Sequence, residues 1–154
     1  MEALSMLIRP VEASDAAEWL RMRLALWPDD PAKEAAEIAA FLAAAPRPVL
    51  AECHAVFVCP RPAGGLCGLV EVSIHETAPG CETQHVGYLE AWHVDPDWRS
   101  HGVGRALAEQ AEAWARAEGC REMASDTTPD YPLSPKAHGA LGYEEVVRYF
   151  RKTL

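Results

Sequence analysis

Between Val94 and Leu107 the chain reads Val-Asp-Pro-Asp-Trp-Arg-Ser-His-Gly-Val-Gly-Arg-Ala-Leu: a strand that turns at a proline, crosses a loop with two glycines and enters a helix. This order commits the fold to a sheet from which a helix departs at a strand end. At the helix start, residues Ser100, His101, Gly102, Val103, Gly104 and Arg105 present backbone N–H groups without helical acceptors. Gly102 and Gly104 lack the Cβ that would keep an anion away, and Arg99 and Arg105 add positive charge. The physics suits a pyrophosphate. Two glycines before a helix are also common punctuation, so spacing alone leaves anion site and plain turn evenly matched. Two phosphate motifs are excluded. There is no G-x-x-x-x-G-K-[ST], and G-x-G-x-x-G fails where Leu107 replaces the third glycine.

The rest of the chain supplies the remaining elements. Leu7–Val11 reads as a first strand, with Ser14 and Asp15 as caps for a helix whose apolar positions are Trp19, Met22 and Leu26. Pro31 opens a second helix through Ala45, which Pro46 and Pro48 stop. Val49–Val58 and Leu66–Ile74 flank the turn-rich Pro60–Gly65 and form a hairpin. In the strand Val86–Val94, alternation places Tyr88, Glu90, Trp92 and Val94 on one face. Val103, Leu107, Ala111 and Trp114 make a helical stripe that Gly119 ends. A strand, Arg121–Ser125, follows, then a helix begun by Ser134-Pro135 and stopped by Gly142, then a last strand, Tyr143–Arg151. The predicted order is β-αα-βββ-α-β-α-β, in a single domain over residues 1–154 with no repeat or linker.

Composition narrows the function. Acidic residues outnumber basic ones 23 to 14, and the net charge of −9 repels phosphate backbones while drawing cationic ligands. Nucleic acid is a poor partner. The five cysteines, Cys53, Cys59, Cys67, Cys81 and Cys120, include no C-x-x-C pair and no zinc spacing. They read as free thiols, and no metal is expected. Met1–Met6 lacks a basic and apolar leader pattern, and no apolar run reaches membrane-spanning length. The expectation is a cytoplasmic protein with no membrane partner.

Arg99-Ser-His-Gly102-Val-Gly104, just after a strand ending Val94-Asp-Pro, resembles the [R/Q]-x-x-G-x-[G/A] acetyl-CoA signature of the GNAT superfamily. Leu26-Trp27-Pro28, Tyr88-Leu89-Glu90, Cys120-Arg-Glu-Met-Ala-Ser-Asp126 and His138-Gly-Ala-Leu-Gly-Tyr143 extend the likeness, over nearly the whole chain, to bacterial aminoglycoside 6′-N-acetyltransferases. The resemblance implies an α+β GNAT fold, a central mixed and mostly antiparallel sheet flanked by helices. It implies acetyl-CoA as co-substrate, a cationic small-molecule amine as acceptor, direct attack in a ternary complex, and a homodimer. In the family's fold the strand written here Glu90–Val94 splays from Arg121–Ser125, and pantetheine lies in the gap. A backbone N–H near Val94 then faces the thioester oxygen.

Residue roles follow from that geometry. An alkylammonium with a pKa near ~10.4 must lose a proton before it attacks. Glu90 is the first candidate to take it, directly or through water; the local alternative is a strand glutamate paired with an arginine. Asp126 is placed by resemblance at the substrate cleft, with a turn or capping role as its alternative. Asp29, Asp30 and Glu76 are loop acids that enlarge the anionic cleft or are merely solvated. Trp27 is a sugar-ring wall or a core residue. His138 stands where many relatives carry a tyrosine acid, so it protonates the leaving thiolate or packs and caps.

The sequence also departs from the family's pattern. Ile74–Cys81 lacks the Asp-Tyr-Val-Asn stretch of the resistance enzymes, and Tyr131 replaces an asparagine that often contacts pantetheine. Two rival functions compete: a GNAT acting on a protein N-terminus, lysine or polyamine, and a non-catalytic acyl-CoA-binding module.

Overall fold

The computed structural model describes residues 6–43 and 54–154. Five strands form one sheet in chain order: β1 (Arg9–Pro10), β2 (His54–Pro60), β3 (Leu66–His75), β4 (Val86–Val94) and β5 (Met123–Ser125). All neighbours pair antiparallel except β4 and β5, which are parallel. That parallel step needs a crossover, and α3 (Val103–Ala117) supplies it. Before the hairpin come α1 (Ala16–Leu26) and α2 (Pro31–Leu42), and α4 (Ser134–Ala140) follows β5.

The two sheet faces carry separate cores. Phe57, Val70, Val72 and Leu89 pack on Val103, Leu107 and Ala111 of α3. On the other face Val56, Val58, Leu69 and Ala91 pack on Trp19, Met22 and Ile38 of α1 and α2. Consecutive residues of β2 and β3 thus face different helices, so both strands read as near-continuous apolar runs. Trp114, expected in the α3 stripe, is only half-buried, and Ala108 and Ala115 take the deep positions.

Several element ends differ from expectation for local reasons. Asp15 accepts two hydrogen bonds from Arg9, at 2.7 and 3.0 Å, and one from the Glu12 N–H at 2.8 Å. Its carboxylate is thereby spent on a short 3-10 turn, Ala13–Asp15, and no side chain caps α1. Asp30 does cap α2, accepting from the Ala32 N–H at 3.0 Å with Pro31 in the first turn. Val49–Cys53 and the expected helix end, Ala44–Ala45, lie outside the described residues. The last strand is a correction. Residues 143–154 form no strand, and Val146, Tyr149 and Phe150 are 61%, 79% and 90% exposed. Apolar residues become a strand only when an edge pairs with them, and among the described residues none does.

Beyond β4, Asp95 anchors the turn into the glycine loop. Arg21 reaches it with two bonds, at 2.9 and 3.0 Å, and Arg61 from the hairpin turn with one at 2.7 Å. Burial opposes its charge, but the bonds from Arg21 and Arg61 outweigh that and hold the carboxyl well below the usual carboxylate range. A depressed folded-state pKa contributes stability that is complete above the unfolded value, about 3.9, and fades as pH falls towards the folded value. Urea midpoints measured from pH 7 to pH 3 are therefore expected to fall on the acid side, and less steeply in Asp95→Asn. Equal slopes in the two proteins would contradict this.

Candidate active site

A β-bulge builds the site. Glu71 pairs with Ala91 and Val72 with Leu89, so Glu90 is the extra residue on β4. The bulge re-aims the strand. Leu89, Trp92 and Val94 pack on the α3 side, whereas Ala91 belongs to the α1/α2 core. The expected shared face of Tyr88, Glu90, Trp92 and Val94 is therefore split: Tyr88 and Glu90 lie with the β3 residues Ser73 and His75, away from Trp92 and Val94.

Glu90 Oε1 accepts from Ser73 Oγ and lies 2.5 Å from His75 Nε2. The glutamate side chain is 24% exposed and borders a cavity of about 210 Å³. Trp27, at the end of α1, forms another wall, with Lys33, Glu34 and Glu37 of α2. Arg23, His54 and Glu71 complete the lining. Four carboxylates (Glu34, Glu37, Glu71, Glu90) thus face two basic side chains, Arg23 and Lys33, so the cavity favours a cation. Trp27 is 37% exposed, with Arg23 6.0 Å from its ring, which matches a wall better than a core position.

Asp126 follows β5 directly and accepts from the Tyr88 hydroxyl at 2.9 Å. Burial first, and Asp126 second, push the Tyr88 phenol up from its ordinary value, so it stays a donor. Tyr88 in turn stacks on His75 with centroids 4.2 Å apart. Glu90 and Asp126 are thereby joined through two rings.

β4 and β5 pair only from Gly87 to Leu89, so the edge of β4 from Glu90 to Val94 lies open. The Asp95 N–H donates to Cys67 O on β3 at 2.9 Å, and strand alternation therefore turns the Val94 N–H towards the open edge. Arg99 Nε donates to the Val94 carbonyl at 2.9 Å. Across the gap, His138 Nδ1 donates to Ser134 O and its Nε2 accepts from Ser125 Oγ, both at 2.8 Å, while Trp92 meets its ring edge-on at 5.3 Å.

The loop entering α3 has the conformation its glycines permit. Gly102 sits at φ +85° and Ser100 at φ +63°. The first helical bond is Ala106 N–H to Gly102 O, which leaves the N–H groups of Val103, Gly104 and Arg105 without helical acceptors. Gly104 has a second duty: a Cβ there would lie 3.3 Å from Trp92 Cζ2, and Trp92 Nε1 donates to its carbonyl. His101 Nδ1 engages Arg99 O, and Arg105 donates to Ala140 O at 2.9 Å, tying α3 to α4.

Other candidates lie elsewhere. Asp29 pairs with Lys33 at 3.1 Å and Asp30 is a cap. Glu76 lies outside the cavity wall, its carbonyl accepting from the His85 N–H. The Tyr131 hydroxyl donates to Leu26 O, which turns this ring towards α1 beside Trp27. Sequence reasoning missed Arg23, Glu34, Glu71, Ser73 and His75. Glu71 carried a usable signal, since it interrupts an apolar strand just as Glu90 does.

The model of the acetyltransferase (GNAT) family matches residues 9–143. An aminoglycoside N(6′)-acetyltransferase type 1 of Klebsiella aerogenes is 46% identical over 97% of this chain and 98% of its own length. The enzyme of that name from Stenotrophomonas maltophilia is 41% identical over 96% and 93%. Among solved structures, the 6′-N-acetyltransferase AAC(6′)-Ih of Acinetobacter baumannii superposes with a TM-score of 0.83 at 29% identity, covering 97% of this chain and 99% of that one. AAC(6′)-Iy in complex with the bisubstrate analog CoA-S-monomethyl-acetylneamine superposes at 0.81 with 34% identity and the same coverage. A glycine loop at a helix start, an open strand edge and an acidic cavity are thus joined to full-length kinship, and the chain belongs to the GNAT acetyltransferase family, among its aminoglycoside 6′-N-acetyltransferases.

Proposed function

We propose that this acetyltransferase carries the acetyl group of acetyl-CoA to the 6′-amine of an aminoglycoside by direct attack in a ternary complex, with Glu90 as the group that takes the proton. The observation that carries the reading is the bulge, which sets Glu90 between the open edge of β4 and a cation-favouring cavity walled by Trp27. The N–H groups at the start of α3, with Arg99 and Arg105, hold the pyrophosphate. Ser100, His101, Gly102, Val103 and Gly104 act through their backbone. The Val94 N–H stabilises the tetrahedral oxyanion. Asp126 binds an ammonium group of the acceptor, as its exposed position at the end of β5 allows. His138 has both ring nitrogens engaged, which supports a role in fixing Ser125 beside the gap more than one as the thiolate's acid.

Purified protein with acetyl-CoA is expected to release thiol with kanamycin- or tobramycin-like compounds bearing a free 6′-amine and not with 6′-hydroxyl analogues. Equal release from lysine peptides or polyamines would move the assignment to the rival amine acceptors. Coenzyme binding without turnover on any amine would support the non-catalytic module.

A homodimer is part of the same reading. The exposed apolar residues of 143–154 form no strand within the chain, as a segment awaiting a second edge would. A single-chain mass in solution would remove this part. The described cysteines are free thiols, which fits a reducing cytoplasm. Among the described residues no helix is long and apolar enough to cross a membrane, and no three-residue His/Cys/Asp/Glu group is placed for a metal.

A further inference from the structure

Two side chains outside the proposed reacting set converge on Glu90. Ser73 Oγ and His75 Nε2 both meet Oε1, the histidine at 2.5 Å. A carboxylate only accepts, so the hydrogen of each contact sits on the partner atom and both donate. Ser73 is fully buried, and it is fixed in mid-strand on β3. His75 ends β3 with its side chain 35% exposed, and its ring is clamped against Tyr88 at 4.2 Å and 11°. Tyr88 OH donates to Asp126 at 2.9 Å.

We infer that His75 is a positioning residue for Glu90: with Ser73 it pins Oε1, so that Oε2 keeps its acceptor sites for the amine. This rests on the reading of Glu90 as proton acceptor. A glutamate on a bulge has three rotatable side-chain bonds, and a proton acceptor displaced by about 1 Å loses up to about a hundredfold in rate. Two donors on one oxygen remove that freedom without occupying the other.

The donor and the stack are separable. His75→Phe keeps a flat ring for Tyr88 and removes the donor; His75→Gln keeps an N–H donor and removes the stack. His75→Phe is expected to lower kcat about tenfold with KM for acetyl-CoA little changed, while His75→Gln stays within about threefold of the parent. Ser73→Ala, which leaves Tyr88 untouched, is expected to lower kcat in the same direction. In the Glu90→Gln background, His75→Phe should add less than about twofold, because its effect is routed through the missing carboxylate. Melting temperatures close to the parent's identify kcat losses that are not unfolding. A loss in His75→Gln equal to that in His75→Phe would overturn the inference in favour of ring packing, and so would full multiplication of the His75→Phe and Glu90→Gln effects. If Glu90→Gln itself turns over like the parent, the proton-acceptor reading fails and takes this one with it. If Glu90→Gln is slow but His75→Phe is fast, only the inference about His75 fails.

Discussion

Glu90→Gln is expected to lower kcat on a 6′-amine by about a hundredfold, the span of one positioned general base, while KM for acetyl-CoA stays within about twofold. The amide is nearly isosteric, and its carbonyl can still accept from Ser73 and His75, so the bulge and cavity wall persist. What it lacks is basicity. The attacking amine must then shed its proton unaided, which grows easier as pH approaches the alkylammonium value of about 10.4. The deficit of the variant should accordingly shrink as pH rises from 6 to 9. A pH profile in steady state with two saturating substrates checks this. A deficit constant across that range, or one confined to KM for the amine, would make Glu90 an ammonium-binding residue and not the proton acceptor.

The second large effect concerns stability. Glu71 is 1% exposed and accepts from Trp19 Nε1 at 2.6 Å, Arg23 Nε at 2.7 Å and Arg23 Nη2 at 2.8 Å. Burial works against the Arg23 charge, but the bonds and field of Glu71 outweigh it, and the guanidinium is held above its ordinary value. Glu71→Ala removes the carboxylate and leaves a buried guanidinium with only Glu34 and Glu37, at 2.9 and 2.8 Å. The Trp19 indole N–H is stranded in the core. The expected cost is about 3 kcal/mol, the lower end of the range for breaking a buried pair, because two partners remain. It should appear in urea unfolding as a lower midpoint at unchanged slope. A loss below about 1 kcal/mol would mean that Glu34 and Glu37 compensate fully.

These two glutamates also show where sequence reasoning stops. Both interrupt apolar strands, and nothing local separates them. The difference is made by pairing: the extra residue at Glu90 leaves it part-exposed at the cavity edge, whereas Glu71, in register, is buried in the cavity wall and bonded to Trp19 and Arg23. A bulge is a property of two strands, so it escapes a period-2 reading of one. His75 gives no local signal because its meaning lies in Tyr88 and Glu90, 13 and 15 residues away in the chain.

The sequence by itself determined the helices, the hairpin, β4 to the residue, the glycine loop before α3 and the acetyltransferase family, since each is written in local periodicity, capping or a contiguous motif. Only the tertiary structure decided which acid is left part-exposed at the cavity edge, which face Trp92 and Val94 take, and whether residues 143–154 become a strand. Those outcomes depend on registers and edges between distant segments, and one segment's pattern does not contain its partner.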